Sequence, residues 1–221
     1  MERNKLPYSQ IKMEDTMNLK FSLTKETKIV FGITLHRIKA EKNFAGIKKN
    51  DLGGWVEKEE NIYSSDNAWV YGDAWVSGNA WVYGNARVYG NAWVYGDAWV
   101  SGNAQVYGNA RVYGNARVSG NARVCGDAQV YGNARVSDDA QVSGDAQVYD
   151  DAQVEKSPLL IQGTKHIVTE CNGNIKIGCE IYSIKEWKKN YKEIGKEHGY
   201  TDDEIVEYYD YILLAEKRMI K

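Results

Sequence analysis

Residues 67–102 read NAWVYG, DAWVSG, NAWVYG, NARVYG, NAWVYG, DAWVSG, and the same period of six runs in step to DAQVEK at Lys156, fifteen hexads without an insertion. Every hexad has Ala at its second place and Val at its fourth. Residues two apart in a strand point to one side, so Ala and Val share a face and the residues between and after them point the other way. Gly followed by Asn or Asp then supplies a corner, because both types tolerate a positive φ. A six-residue apolar repeat drifts around a helix of 3.6 residues per turn, so each hexad is a short strand plus a corner. A chain built this way stacks rung on rung along one axis.

The aliphatic residue followed four places later by a small one, as in Val70 and Ala74, resembles the motif of the left-handed β-helix hexapeptide-repeat superfamily. That resemblance covers residues 67–156. It implies three hexads per triangular coil, hence five coils and a prism roughly 24 Å tall at ~4.8 Å per strand. Residues 49–66 look like a degenerate sixth coil with Leu52, Val56 and Ile62 in its inward columns. The variant NA-x-V-x-G, preceded by DLGGWVEKEEN, also resembles uncharacterised phage and prophage proteins, which implies a phage origin. The fold expected is mainly β: a left-handed parallel β-helix of about six triangular coils, with an N-terminal β cap and a C-terminal β-hairpin plus two-helix cap.

With three hexads per coil, every third hexad stacks on one face. After Val, the first face carries Tyr71, Tyr89, Tyr107, Cys125 and Ser143, and the second Ser77, Tyr95, Tyr113, Tyr131 and Tyr149. The third carries Tyr83, Ser101, Ser119, Ser137 and Glu155. The other outward column passes from Trp through Arg to Gln along the axis, so the second face sets Trp75 over Trp93 over Arg111 beside its Tyr column. Arg over an aromatic ring is a favourable pair. Trp75, Trp93, Tyr95, Arg111, Tyr113, Tyr131 and Tyr149 are therefore the candidate binding face. Two readings of it stand: structural ladders facing water, or an interface. The superfamily resemblance implies that such an interface forms a trimer. Cys125 takes a Tyr/Ser position and is expected as an exposed thiol. The Asn/Asp corners are expected as a solvated ladder, since they lack the nonapeptide spacing of Ca²⁺-binding rolls.

Working outward, residues 1–16 read as a loose tail and 17–48 as an N-terminal β cap, with 49–156 forming the helix of repeats and 157–221 an α+β cap. The last segment reads as one hairpin over 158–181 turning at Asn172-Gly173. Capping boxes at Ser183-x-x-Glu186 and Thr201-x-x-Glu204 then open two helices, and Ile205, Tyr208, Tyr209, Ile212 and Ala215 follow helical spacing. Caps are needed because an open β-helix exposes edge strands at both ends.

Composition sets the function classes. The chain has 16 Tyr and 7 Trp against 3 Phe and a net charge of −2, without the basic footprint of a general nucleic-acid binder. No apolar run reaches the ~20 residues of a membrane helix, and the first residues lack a signal-peptide core. Three Cys are no disulfide framework, so a reduced cytosolic setting, in the host bacterium if phage-encoded, is expected. His36, His166 and His198 all lie outside the repeats, which leaves no general base on the coils. His166 falls cross-strand from Cys179 if the chain turns at Asn172-Gly173, too few ligands for a metal site. No catalytic residue, cofactor or metal is expected. The leading expectation is a non-catalytic, phage-type binding protein. It would act stoichiometrically on a host protein or host signal, in an anti-defence or host-takeover role. Alternatives are sequestration of a nucleotide-like ligand in aromatic/Arg grooves, an acyltransferase-like enzyme, and a structural spacer. The partners expected are further copies of the chain, with a trimer favoured.

Overall fold

The computed structural model describes residues 19–171 and 173–219; the expected tail over 1–16 lies outside them. Each hexad forms one two-residue strand, from β4 (Trp69–Val70) to β18 (Gln153–Val154). Strands eighteen residues apart pair in parallel, as in Trp75↔Trp93, Trp93↔Arg111, Arg111↔Gln129 and Gln129↔Gln147. Three parallel sheets result, one per face. Backbone N–H groups donate to the next coil, for example Trp75 to Ala92 at 3.0 Å and Ser77 to Val94 at 3.0 Å. The interior holds only Val and Ala from the hexads, all fully buried except the half-buried Ala152 in the last coil. The chain is thus a β-solenoid of about six coils.

The first coil departs from the period. Trp55 pairs with Trp75 and Ile62 with Val82, an offset of twenty residues (75 − 55 and 82 − 62) where later coils use eighteen. Val56 and Ile62 enter the interior as expected, but Leu52 is 54% exposed. Space decides this. β3 (Leu52–Val56) runs so close to its neighbours that a Cβ on Gly53 would lie 2.5 Å from Ile38, and one on Gly54 2.5 Å from Val70. On the side of the strand that Leu52 shares with Gly54, Val70 and the Ala74 carbonyl already crowd the backbone.

Ile38 belongs to the N-terminal cap. β1 (Phe21–Val30) and β2 (Ile33–Ala40) form an antiparallel hairpin, and β2 pairs on to β3, extending the second-face sheet. Phe21, Ile38 and Ala40 close the interior. The buried Lys20 fastens the cap to the first hexad: its Nζ donates to Asp66 Oδ1 at 3.0 Å and to the Ala68 carbonyl at 2.8 Å. Burial lowers the Lys20 pKa, and the Asp66 carboxylate acts against that shift.

At the other end the structure corrects the single hairpin to a four-stranded antiparallel meander, β19 (Leu159–Gln162), β20 (Ile167–Cys171), β21 (Asn174–Ile177) and β22 (Glu180–Ser183). Two further turns, around Gly163 and at Gly178, break the runs that read as two long strands. The helices α1 (Ile184–Glu197) and α2 (Asp202–Met219) follow. Both expected capping boxes form: Glu186 N–H donates to Ser183 Oγ, and Glu204 N–H to Thr201 Oγ1. This unit has its own core of Val168, Ile175, Ile177, Trp187, Tyr208 and Ile212. It meets the last coil through Gln141 N–H on Ser157 Oγ at 2.9 Å and Lys176 Nζ on Gln147 Oε1 at 2.9 Å.

Candidate binding surfaces

The second face is a continuous stack. Tyr95, Tyr113, Tyr131 and Tyr149 follow one another at ring separations of 4.9, 5.0 and 5.4 Å, tilted by 2°, 4° and 20°. Identical residues at one coil spacing set that distance, as in any cross-strand ladder. Beside them Trp75 and Trp93 lie 5.2 Å apart, and the Arg111 guanidinium sits 4.4 Å over the Trp93 ring. Each Tyr is half-buried, and burial pushes the phenols of Tyr95, Tyr113 and Tyr131 above their ordinary pKa. The Tyr113 hydroxyl donates to Gln129 Oε1 at 3.2 Å, which ties one coil's Tyr column to the next coil's Gln.

The structure brings all seven candidate residues onto one face but does not display them equally. Trp75 is only 4% exposed, because Leu35 of the N-terminal hairpin covers it together with Trp55. Trp69 is buried in the same way under Phe21 and Phe44. Aromatics at the N-terminal end of the columns therefore anchor the cap rather than face solvent. At the far end Lys176 reaches over the Tyr149 ring at 5.2 Å. The open stretch comprises Trp93, Tyr95, Arg111, Tyr113 and Tyr131. The hairpin adds to it a residue that the repeat pattern did not point to: Phe31, 80% exposed, packs edge-on against Trp93 at 5.9 Å.

The first face carries a shorter stack, Tyr89 on Tyr107 at 4.8 Å. Cys125 continues that column and is buried, not exposed as expected, because Tyr107 and Gln141 flank it one coil to either side. The third face holds a groove of about 560 Å³ lined by Lys58, Trp81, Asp97, Trp99 and Arg117 among others. Here Arg117 covers Trp99 at 4.6 Å and Trp81 meets Trp99 edge-on at 6.0 Å. The sequence contained these columns, yet the groove depends on Lys58, which reaches Asn79 at 3.3 Å from the irregular first coil.

Parallel coils, an Ala/Val interior and outward ladders define a β-solenoid repeat protein. Within it, residues 80–96, 86–102, 104–118 and 128–144 match the family model of the YdcK β-solenoid repeat. A comparison with curated proteins found no match. No helix among the described residues is long and apolar enough to cross a membrane.

Proposed function

We propose that the chain is a non-catalytic binding protein of phage type that works stoichiometrically on a partner in the bacterial cytosol, and that its second face joins copies into a trimer. The observation that carries this is the open Trp93–Tyr95–Tyr113–Tyr131 strip, continuous with exposed Phe31. It is aromatic, and Arg111 lies over the Trp93 ring within it. A surface of that kind matches a second copy of itself better than a charged partner. The phage origin, and with it a role against host defence, rests on the resemblance of the repeat and its preceding segment. The enzyme alternative has less support, since His36 sits in β2 opposite Val56 and the His166 ring is held by the Tyr200 hydroxyl.

Light scattering tests the assembly. The wild-type chain is expected as a trimer, and Tyr113→Ser with Tyr131→Ser as a monomer of unchanged circular dichroism. Ser is the natural occupant of this column at positions 101, 119 and 137 of the third face, so the coils accept it. The same pair of changes at Tyr89 and Tyr107 leaves the trimer intact. A wild-type monomer at high concentration refutes the interface.

A second reading concerns the third face, which a trimer built through the second leaves open. Trp81 and Trp99 offer stacking surfaces, and Lys58 and Arg117 offer positive charge, the chemistry that a nucleotide-like ligand needs. Calorimetry with a panel of nucleotides is expected to show binding that Trp99→Ala removes; no heat from any nucleotide rejects this reading.

A further inference from the structure

The turn between β21 and β22 meets the end of α1 at three side chains of unlike chemistry. The Cys179 sulfur, a Glu180 carboxylate oxygen and a His198 ring nitrogen all lie within 4.8 Å of one another. Glu180 Oε1 is 3.2 Å from His198 Nε2 and 3.8 Å from Cys179 Sγ. Two local features make this convergence. Gly178, at φ +61°, turns the chain tightly so that Cys179 and Glu180 emerge together. His198 is the C-cap of α1, placed by the Gly199 and Tyr200 N–H groups folding back on Lys196 and Gly195.

A fourth group stands alongside. His166 extends the β20–β21 register to the position opposite Cys179, and its ring lies 3.3–3.5 Å from where a Cβ on Gly178 would sit. The Tyr200 hydroxyl engages His166 Nδ1, which leaves Nε2 as the nitrogen for other work. A second partner fixing the tautomer of a histidine is the usual companion of metal ligation. His166, Cys179, Glu180, His198 and Tyr200 all line one cavity between the sheet and the helices.

We propose that Cys179, Glu180 and His198 bind Zn²⁺, with His166 Nε2 as the fourth ligand. Thiolate and imidazole together select zinc over calcium or magnesium. Tetrahedral zinc wants ligand atoms about 3.5 Å apart, and the Cys179, Glu180 and His198 atoms lie within 4.8 Å of one another. Thiolate and carboxylate balance the charge of the ion, and the C-terminal end of α1 favours a cation at His198. Bound zinc would clip the β21–β22 turn to α1 and so stabilise the C-terminal unit.

The test is a titration of the reduced, full-length protein with Co²⁺ as a spectroscopic substitute, followed by displacement with Zn²⁺. One equivalent is expected, with a thiolate-to-cobalt charge-transfer band and the visible bands of a tetrahedral site. Cys179→Ser removes the charge-transfer band, whereas Cys171→Ser and Cys125→Ser keep it. Removing a ligand costs more than an outer-shell change, itself worth ~10–100-fold, so His198→Ala weakens Zn²⁺ binding by about 100-fold or more. Helical circular dichroism confirms that each variant is folded. No saturable cobalt spectrum, or one that survives Cys179→Ser, overturns the site. Unchanged affinity in His166→Ala overturns the assignment of the fourth ligand.

Discussion

A glycine at the sixth place of a hexad meets two demands at once. Gly108 has φ +74°, and a Cβ there would lie 3.0 Å from the nitrogen and 3.1 Å from the oxygen of Gly126 in the next coil. Backbone cannot move aside as a side chain can. Asp138 and Asp150 adopt the same corner conformation at φ +54° and +53°; Asp150 stands in the last coil with no further hexad stacked beyond it, and Asp138 one coil earlier, under the final hexad. The steric demand therefore lapses where the stack ends, and only the conformational one remains, which Asp and Asn meet at small cost. Gly108→Ala is expected to lower stability by about 2–4 kcal/mol through strain and clash together. Gly144→Asn, whose Cβ meets only the Leu160 side chain at 3.3 Å, is expected to cost under about 1 kcal/mol. Urea unfolding of the two variants makes the comparison.

The corner ladders follow a rule of donors and acceptors. Asn67, Asn85, Asn103 and Asn121 each donate from Nδ2 to the next member, and the run ends on Asp139. A carboxylate accepts but cannot donate, so an Asp closes a ladder. On another corner Asn79 donates to Asp97 at 3.0 Å, and donation resumes only from Asn115 to Asn133. Asp97→Asn would complete that run. It is expected to raise the melting temperature modestly, by the few tenths of a kcal/mol that one exposed cross-strand pair contributes, whereas Asp139→Asn, at the end of its run, gives no comparable gain. The ladders, faces and Ala/Val interior were legible because one hexad repeats every environment it creates. Residues whose neighbours come from outside the period were not. Trp69 and Trp75 read as displayed because nothing in the hexads shows Phe21, Leu35 or Phe44 folding over them. Leu52 read as inward because its column does not reveal how closely Val70 and the Ala74 carbonyl crowd the backbone beside it at Gly54. The Cys179–Glu180–His198 cluster was hidden for the same reason, since a helix end and a strand turn meet only after both have folded. Capping boxes at Ser183 and Thr201 were legible because three residues decide them locally.

At the scale of the whole molecule, two separate cores share one titrating feature. The solenoid holds Tyr95, Tyr113 and Tyr131 with their phenols shifted upward by burial, and the C-terminal unit holds Tyr200 shifted to about 12, again chiefly by burial. Unfolding returns each to its ordinary value of 10.0. Above that pH the unfolded chain has released protons that the folded chain still keeps, so stability falls as pH rises. Below it both states are protonated, and these groups leave stability unchanged. Thermal unfolding is therefore expected to be independent of these tyrosines up to about pH 10 and to move to lower temperature above it in both parts of the molecule, with the decline due to Tyr200 falling between pH 10 and about 12. Helical circular dichroism follows α1 and α2, and tyrosinate absorbance follows the ladder, so one series of melts reads both. Tyr200→Phe removes the phenol with the largest shift and should flatten the alkaline decline of the helical signal while the ladder still ionises. If the decline in the helical signal persists unchanged in that variant, the two units unfold as one, and the solenoid ladder governs the stability of the whole chain.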